Sequence, residues 1–139
     1  MFKRILLPAD GSAHSIRAAE KAIAIAKGTT GASITVLYVV DGSTSKADVL
    51  KNWDALGIIA QRKEKLSEVE KQAKSENLTY EIKIIRGEPA PAIIKYANEH
   101  HFDLIVIGSR GLNTLQEMVL GSVSHKVAKR ATCPVMIVK

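Results

Sequence analysis

Cysteine is almost absent: Cys133 is the only one in 139 residues, which excludes a disulfide scaffold. A lone Cys fits a reducing compartment, and its place before Pro134 and an apolar run reads as packing of a small hydrophobe. Aromatic residues make up only 4% of the chain, so no rows of rings are interleaved with basic residues for stacking nucleic-acid bases. No apolar run approaches the ~20 residues a membrane span needs. Met1-Phe2-Lys3-Arg4-Ile5-Leu6-Leu7-Pro8 is too short for a signal peptide and reads as a strand. These absences lead to an expectation of a cytoplasmic protein with no membrane insertion. The four histidines and the cysteine stand in no spacing that makes a zinc site, so a metal held by protein ligands alone is not expected.

What is present is the composition of a globular protein, 46% hydrophobic and 24% charged. The length suits one domain covering residues 1–139, able to bury roughly 70% of its unfolded surface. Twenty Lys and Arg against fourteen Asp and Glu leave a charge of +6. The bases are spread along the chain and mixed with acids. The densest group, Lys126, Lys129 and Arg130, falls near the end of an expected helix, where the dipole favours cations. This distribution describes a solvated basic surface and argues against nucleic acid as a partner.

Apolar runs alternate with helical patterns from end to end. Ile5-Leu6-Leu7 is a short continuous run, as expected of a strand buried on both faces. Ser12 fits an N-cap for a helix over residues 13–27, with apolar positions at Ile16, Ala19, Ile23 and Ala26, and Gly28 and Gly31 end it. Residues 34–40 form a second, β-branched run. A polar Gly/Ser-rich loop follows at 41–47, then a long helical pattern over roughly 50–76. Residues 80–86 alternate as a half-exposed edge strand, and Pro89 or Pro91 opens a third helix ending near His100. Leu104-Ile105-Val106-Ile107 is another buried strand, residues 122–131 a fourth helix and Val135-Met136-Ile137-Val138 a fifth strand. Strict β–α alternation predicts an α/β fold: one parallel sheet with helices on both faces and right-handed crossovers. Ligands of such sheets bind beyond the carboxyl ends of the strands, where strand order reverses.

Three nucleotide sites can be tested at those ends. No G-x-G-x-x-G follows the first strand, and no Gly-Lys-Ser or Gly-Lys-Thr of a P-loop occurs. A phospho-accepting receiver would need an acid after the third strand, where Arg86-Gly87 stands. The fourth strand instead runs from Ile107 into Gly108-Ser109-Arg110-Gly111, with Gly121-Ser122-Val123-Ser124 following nine residues later. Glycines here let the backbone approach a ligand without Cβ clash. Gly121-Ser122 opens the fourth expected helix, whose free N–H groups attract anions, and the Ser122 and Ser124 hydroxyls add donors. From the residues alone this is either a phosphate cradle or a structural turn.

The spacing Gly108-x2-Gly111-x9-Gly121-Ser122 resembles the nucleotide-binding signature of universal stress proteins. Pro8-Ala9-Asp10-Gly11-Ser12, Val39-Val40-Asp41, Gly87-Glu88-Pro89 and Cys133-Pro134-Val135 are similar to that family too, so the likeness spans the whole chain. The glycine pattern is that of the family's ATP-binding branch. The resemblance implies an open five-stranded sheet in the order 3-2-1-4-5, adenine nucleotide alpha hydrolase-like, with ATP bound together with Mg, and commonly a dimer. By that similarity Asp10 faces the ribose or the phosphate-bound metal, Pro8 and Ala9 shape the floor, Val39 meets the adenine edge through its backbone, and Arg110 pairs with phosphate. The residues by themselves also allow Asp10 to be a helix cap and Arg110 to be a solvent-facing cation.

Asp10, Ser12, Ser122 and Ser124 supply a carboxylate and hydroxyls, yet no base sits beside a nucleophile and no Lys stands in a Gly-rich loop. Three functions remain open: a nucleotide-dependent sensor acting on protein partners the chain does not name, a slow ATPase or autophosphorylating protein using Ser122 or Ser124, and an interaction protein with an empty crevice. In the implied strand order the third and fifth strands are edges. Glu81, Lys83 and Arg86 guard the third, whereas the fifth is uncharged until Lys139, which predicts a homodimer through the C-terminal strand. The alternative is a monomer whose short edge is covered by the Trp53 region.

Overall fold

Each run the sequence marks as a strand is a strand, and Ile5-Leu6-Leu7 and Leu104-Ile105-Val106-Ile107 pair with each other inside the sheet. A computed structural model describes residues 2–9, 13–40, 71, 78–109 and 117–139. Along them run β1 (Arg4–Pro8), α1 (Ala13–Lys27), β2 (Ser33–Val40), β3 (Thr79–Arg86), α2 (Pro89–His100), β4 (Leu104–Gly108), α3 (Glu117–Arg130) and β5 (Val135–Val138). The expected loop at 41–47, the expected helix at 50–76 with Trp53, and Asp10, Gly11, Ser12, Arg110 and Gly111 lie outside the described residues, save that Lys71 is helical.

The strands form one parallel sheet in the order β3-β2-β1-β4-β5. Because successive side chains of a strand point to opposite faces, β1 and β4 feed two separate cores. Ile5, Leu7, Leu104 and Val106 meet α1 on one face. Leu6, Ile105 and Ile107 meet α2 and α3 on the other, with Ile93, Ala97 and Val127. Four alanines of α1, Ala18, Ala19, Ala22 and Ala26, are buried, and their small side chains let the helix lie close to the sheet. α2 takes Pro89 in its first turn, as its fixed φ allows, and stops at His101, whose φ of 54° ends the helical path.

Two expectations are corrected. The last helix begins at Glu117, so Gly121 and Ser122 lie one turn inside it and do not open it. Gly costs about 1 kcal/mol in a helix interior, which is why the local pattern placed the start after it; the continuing backbone hydrogen bonds outweigh that cost. β3 departs from clean alternation: Ile82 is exposed while Ile84 and Ile85 are both half-buried. β3 has a neighbouring strand on one side only, so its side-chain faces are incompletely covered.

The amino end of the sheet is tightly fastened. The Asp103 carboxylate accepts the backbone N–H groups of Lys3 at 3.1 Å and Arg4 at 2.8 Å. Arg4 donates from Nη1 to the His100 carbonyl at 2.6 Å, and its guanidinium lies 5.0 Å from the Phe102 ring centre. These contacts tie the turn between α2 and β4 to the start of β1.

Candidate functional site

At the carboxyl end the central pairing stops first. β1 keeps its register with β2 along its whole length, Arg4 to Pro8 against Ser33 to Leu37. The Ala9 N–H extends that pairing by donating to the Leu37 carbonyl at 3.0 Å. β4 pairs likewise with β5 from Ile105 to Gly108, and the Ser109 N–H donates to the Val138 carbonyl at 2.8 Å. Between β1 and β4, however, only Ile5 with Leu104 and Leu6 with Ile105 are matched. The ladder stops before Pro8, which has no N–H to donate, and it stops where the strand order reverses. This is the place at which open parallel sheets receive ligands.

Of the residues singled out in the sequence, Pro8 and Ala9 end β1 on one side of that reversal, and Gly108 ends β4 on the other. Val39, Ile107 and Val123 come together in the apolar cluster under α2 and α3, with Ile107 itself buried. Ser124 is buried as well, at 4% exposure, two turns into α3. Asp10, Arg110 and Gly111 lie outside the described residues. The free N–H groups expected at Gly121-Ser122 belong instead to the first turn from Glu117, since an N–H inside a helix points to the carbonyl four residues back.

Gly108 has a packing reason to lack a side chain, beside the ligand approach its sequence context offered. A Cβ there would stand 2.9 Å from both the carbonyl carbon and the Cβ of His14 and 3.1 Å from its carbonyl oxygen. The missing Cβ therefore makes room for the first turn of α1 against the end of β4. His14, which the sequence offered only as a residue on a helix flank, thus stands at the end of β4: its Nδ1 lies 3.4 Å from Ser109 Oγ. One turn on, Arg17 donates from Nε to the Lys139 carbonyl at 3.0 Å. No local signal pointed to these two residues, because their partners lie about a hundred positions away in the chain. Among the described residues no group of three His, Cys, Asp or Glu could hold a metal ion.

Among those residues no helix is long and apolar enough to cross a membrane. The family model described as "Universal stress protein family" matches residues 1–139. A universal stress protein of Methanocaldococcus jannaschii is 35% identical over 142 residues, covering 100% of this chain and 83% of its own. Among solved structures, universal stress protein UspA from Lactobacillus plantarum superposes with a TM-score of 0.75 at 29% identity, over 99% of this chain and 98% of that one. A universal stress protein solved in complex with cAMP gives a TM-score of 0.68 at 29% identity, over 99% and 97% of the two chains. With the family match running the full length of the chain and the same fold in these relatives, the chain belongs to the universal stress protein family.

Proposed function

We propose that this chain is an ATP-binding regulatory module of the cytoplasm, in which occupancy of the cleft between β1 and β4, with Mg on the phosphates, is the signal passed to protein partners. The observation that carries this reading is the early end of the β1–β4 pairing at Leu6 and Ile105, where the strand order reverses and the sequence enters the glycine spacing at Gly108. The adenine nucleotide held by a relative of the same fold supports it, and so does the spacing Gly108-x2-Gly111-x9-Gly121-Ser122. In this reading the apolar cluster of Val39, Ile107 and Val123 backs the base, and the loop from Gly108 through Arg110 and Gly111 takes the phosphates. Mg enters with those phosphates rather than through a protein cage.

Occupancy rather than turnover follows from the residues present. The sequence has no Lys in a Gly-rich loop, and the Ser124 hydroxyl is buried, which makes it a poor phosphoryl acceptor. Mass spectrometry of natively purified protein should find co-purified adenine nucleotide, and calorimetric titration should show ATP binding that Mg tightens. If no nucleotide co-purifies and ATP fails to bind below millimolar concentration, the cleft is empty and the reading is lost. A turnover rate near the enzyme median of about 10 per second would make the protein an ATPase instead.

The reading includes a homodimer through β5. Met136 and Ile137 are exposed at this edge, at 39% and 43%, whereas β3 carries the Glu81–Lys83 ion pair at 2.8 Å. An uncharged apolar edge invites pairing, and a two-fold partner closes it. Sedimentation equilibrium at micromolar concentration should give the mass of two chains; the mass of one would end the dimer reading.

A further inference from the structure

We propose that His14 is a positioning residue for the loop that leaves β4, and that protonation of its ring turns the Ser109 hydroxyl towards an anion in the cleft. The proposal rests on the nucleotide reading above and adds a regulatory group to that site. The backbone of His14 is seated directly on Gly108, in the space a Cβ would fill, so its ring cannot drift from the end of β4. From there Nδ1 lies 3.4 Å from Ser109 Oγ, in a half-buried setting. The Ser109 N–H is already committed to the Val138 carbonyl at 2.8 Å. The hydroxyl is then the part of Ser109 that is able to change partners.

The chemistry of the pair has two arrangements. With a neutral ring carrying its hydrogen on Nε2, Nδ1 accepts and the Ser109 O–H is spent on it, leaving only oxygen lone pairs towards the cleft. With the ring protonated, both nitrogens are donors, so Ser109 Oγ must accept from Nδ1 and its own hydrogen is released for another acceptor. A phosphate oxygen in the cleft is such an acceptor, and the imidazolium adds a positive charge beside it. Histidine is the side chain that ordinarily changes charge between about pH 5 and 8. One turn along α1 from His14, Arg17 donates to the Lys139 carbonyl at the end of β5. Asp10 and Arg110 lie outside the described residues. By linkage, a ligand that prefers the protonated ring binds with proton uptake and binds tighter as pH falls.

The test is calorimetric titration of the full-length wild type, His14→Asn and Ser109→Ala with Mg-ATP between about pH 5.5 and 8.5, in buffers of different ionisation enthalpy. Asn places an amide near the position of Nδ1 and does not titrate, so it keeps the contact and removes the switch. ATP's own titration is common to all three proteins and cancels between them. Relative to His14→Asn, wild type should gain at least about five-fold in affinity from the alkaline to the acidic end, the lower bound of ordinary site coupling, with extra proton uptake. Ser109→Ala should lose that gain while keeping its thermal midpoint. Identical pH profiles and proton counts for wild type and His14→Asn would overturn the role of His14 and leave the nucleotide reading standing. Absence of ATP binding in every protein at every pH would overturn both.

Discussion

At the amino end of the sheet, Asp103 takes two backbone N–H groups, Arg4 reaches the His100 carbonyl, and its guanidinium lies over Phe102. At the carboxyl end of the same strands the β1–β4 ladder stops before Pro8, a glycine stands where a side chain would collide with α1, and His14 meets Ser109 at 3.4 Å. One end uses charged and aromatic side chains to satisfy and tie down the backbone. The other uses small residues and leaves the central pairing unfinished. The lesson is that side chains fasten the backbone at one end of the sheet, whereas at the other the central ladder is left short beside the site proposed above.

The comparison can be broken by substitution, in order of the stability each change should cost. Gly108→Val forces a side chain into the His14 backbone and should cost about 3 kcal/mol, the upper part of the usual overpacking range. Urea unfolding would measure it, and ATP binding should be lost with it. Unchanged stability with binding abolished would show instead that the glycine serves ligand approach. Asp103→Ala removes the acceptor of two N–H groups at an exposed position where water can replace it, so about 1 kcal/mol is expected. Its ATP affinity by calorimetry should equal that of wild type; a change would mean that the fastened end and the cleft are coupled.

Next comes the edge. The Ile105 and Ser109 N–H groups donate to the Pro134 and Val138 carbonyls, so the even-numbered backbone groups of β5 face β4 and the odd-numbered ones face outwards. Ile137→Pro therefore removes an outward donor and should yield a folded monomer by sedimentation, with a thermal midpoint close to wild type. Met136→Pro, by contrast, breaks the ladder to β4 and should lower the midpoint itself. If both variants unfold alike, the outward face of β5 is not the docking edge. The smallest effect concerns Cys133, just before β5. Burial pushes its thiol up from the ordinary value, so less thiolate is present at any given pH. Alkylation near neutrality should run slower than for free cysteine and rise to that rate in denaturant, with no change in stability beforehand.

Much of this fold is legible without coordinates. The apolar runs at Ile5-Leu6-Leu7 and Leu104-Ile105-Val106-Ile107 mark strands covered on both faces, and both prove to be central. Alternation of strands and helices determines a parallel sheet, since only crossover connections are available to it. The glycine spacing that begins at Gly108 is legible for the same reason: turn chemistry and periodicity are local properties, written in neighbouring residues. What the tertiary structure decided is of another kind. A side chain at Gly108 would collide with His14, ninety-four positions before it; α3 starts at Glu117 and runs through a glycine that local propensity would place at its start; and His14 finds Ser109 across 95 positions. Such contacts depend on how β4 registers against β1 and how α1 settles over both. That arrangement minimises the energy of the whole core at once, and no short stretch of sequence carries it.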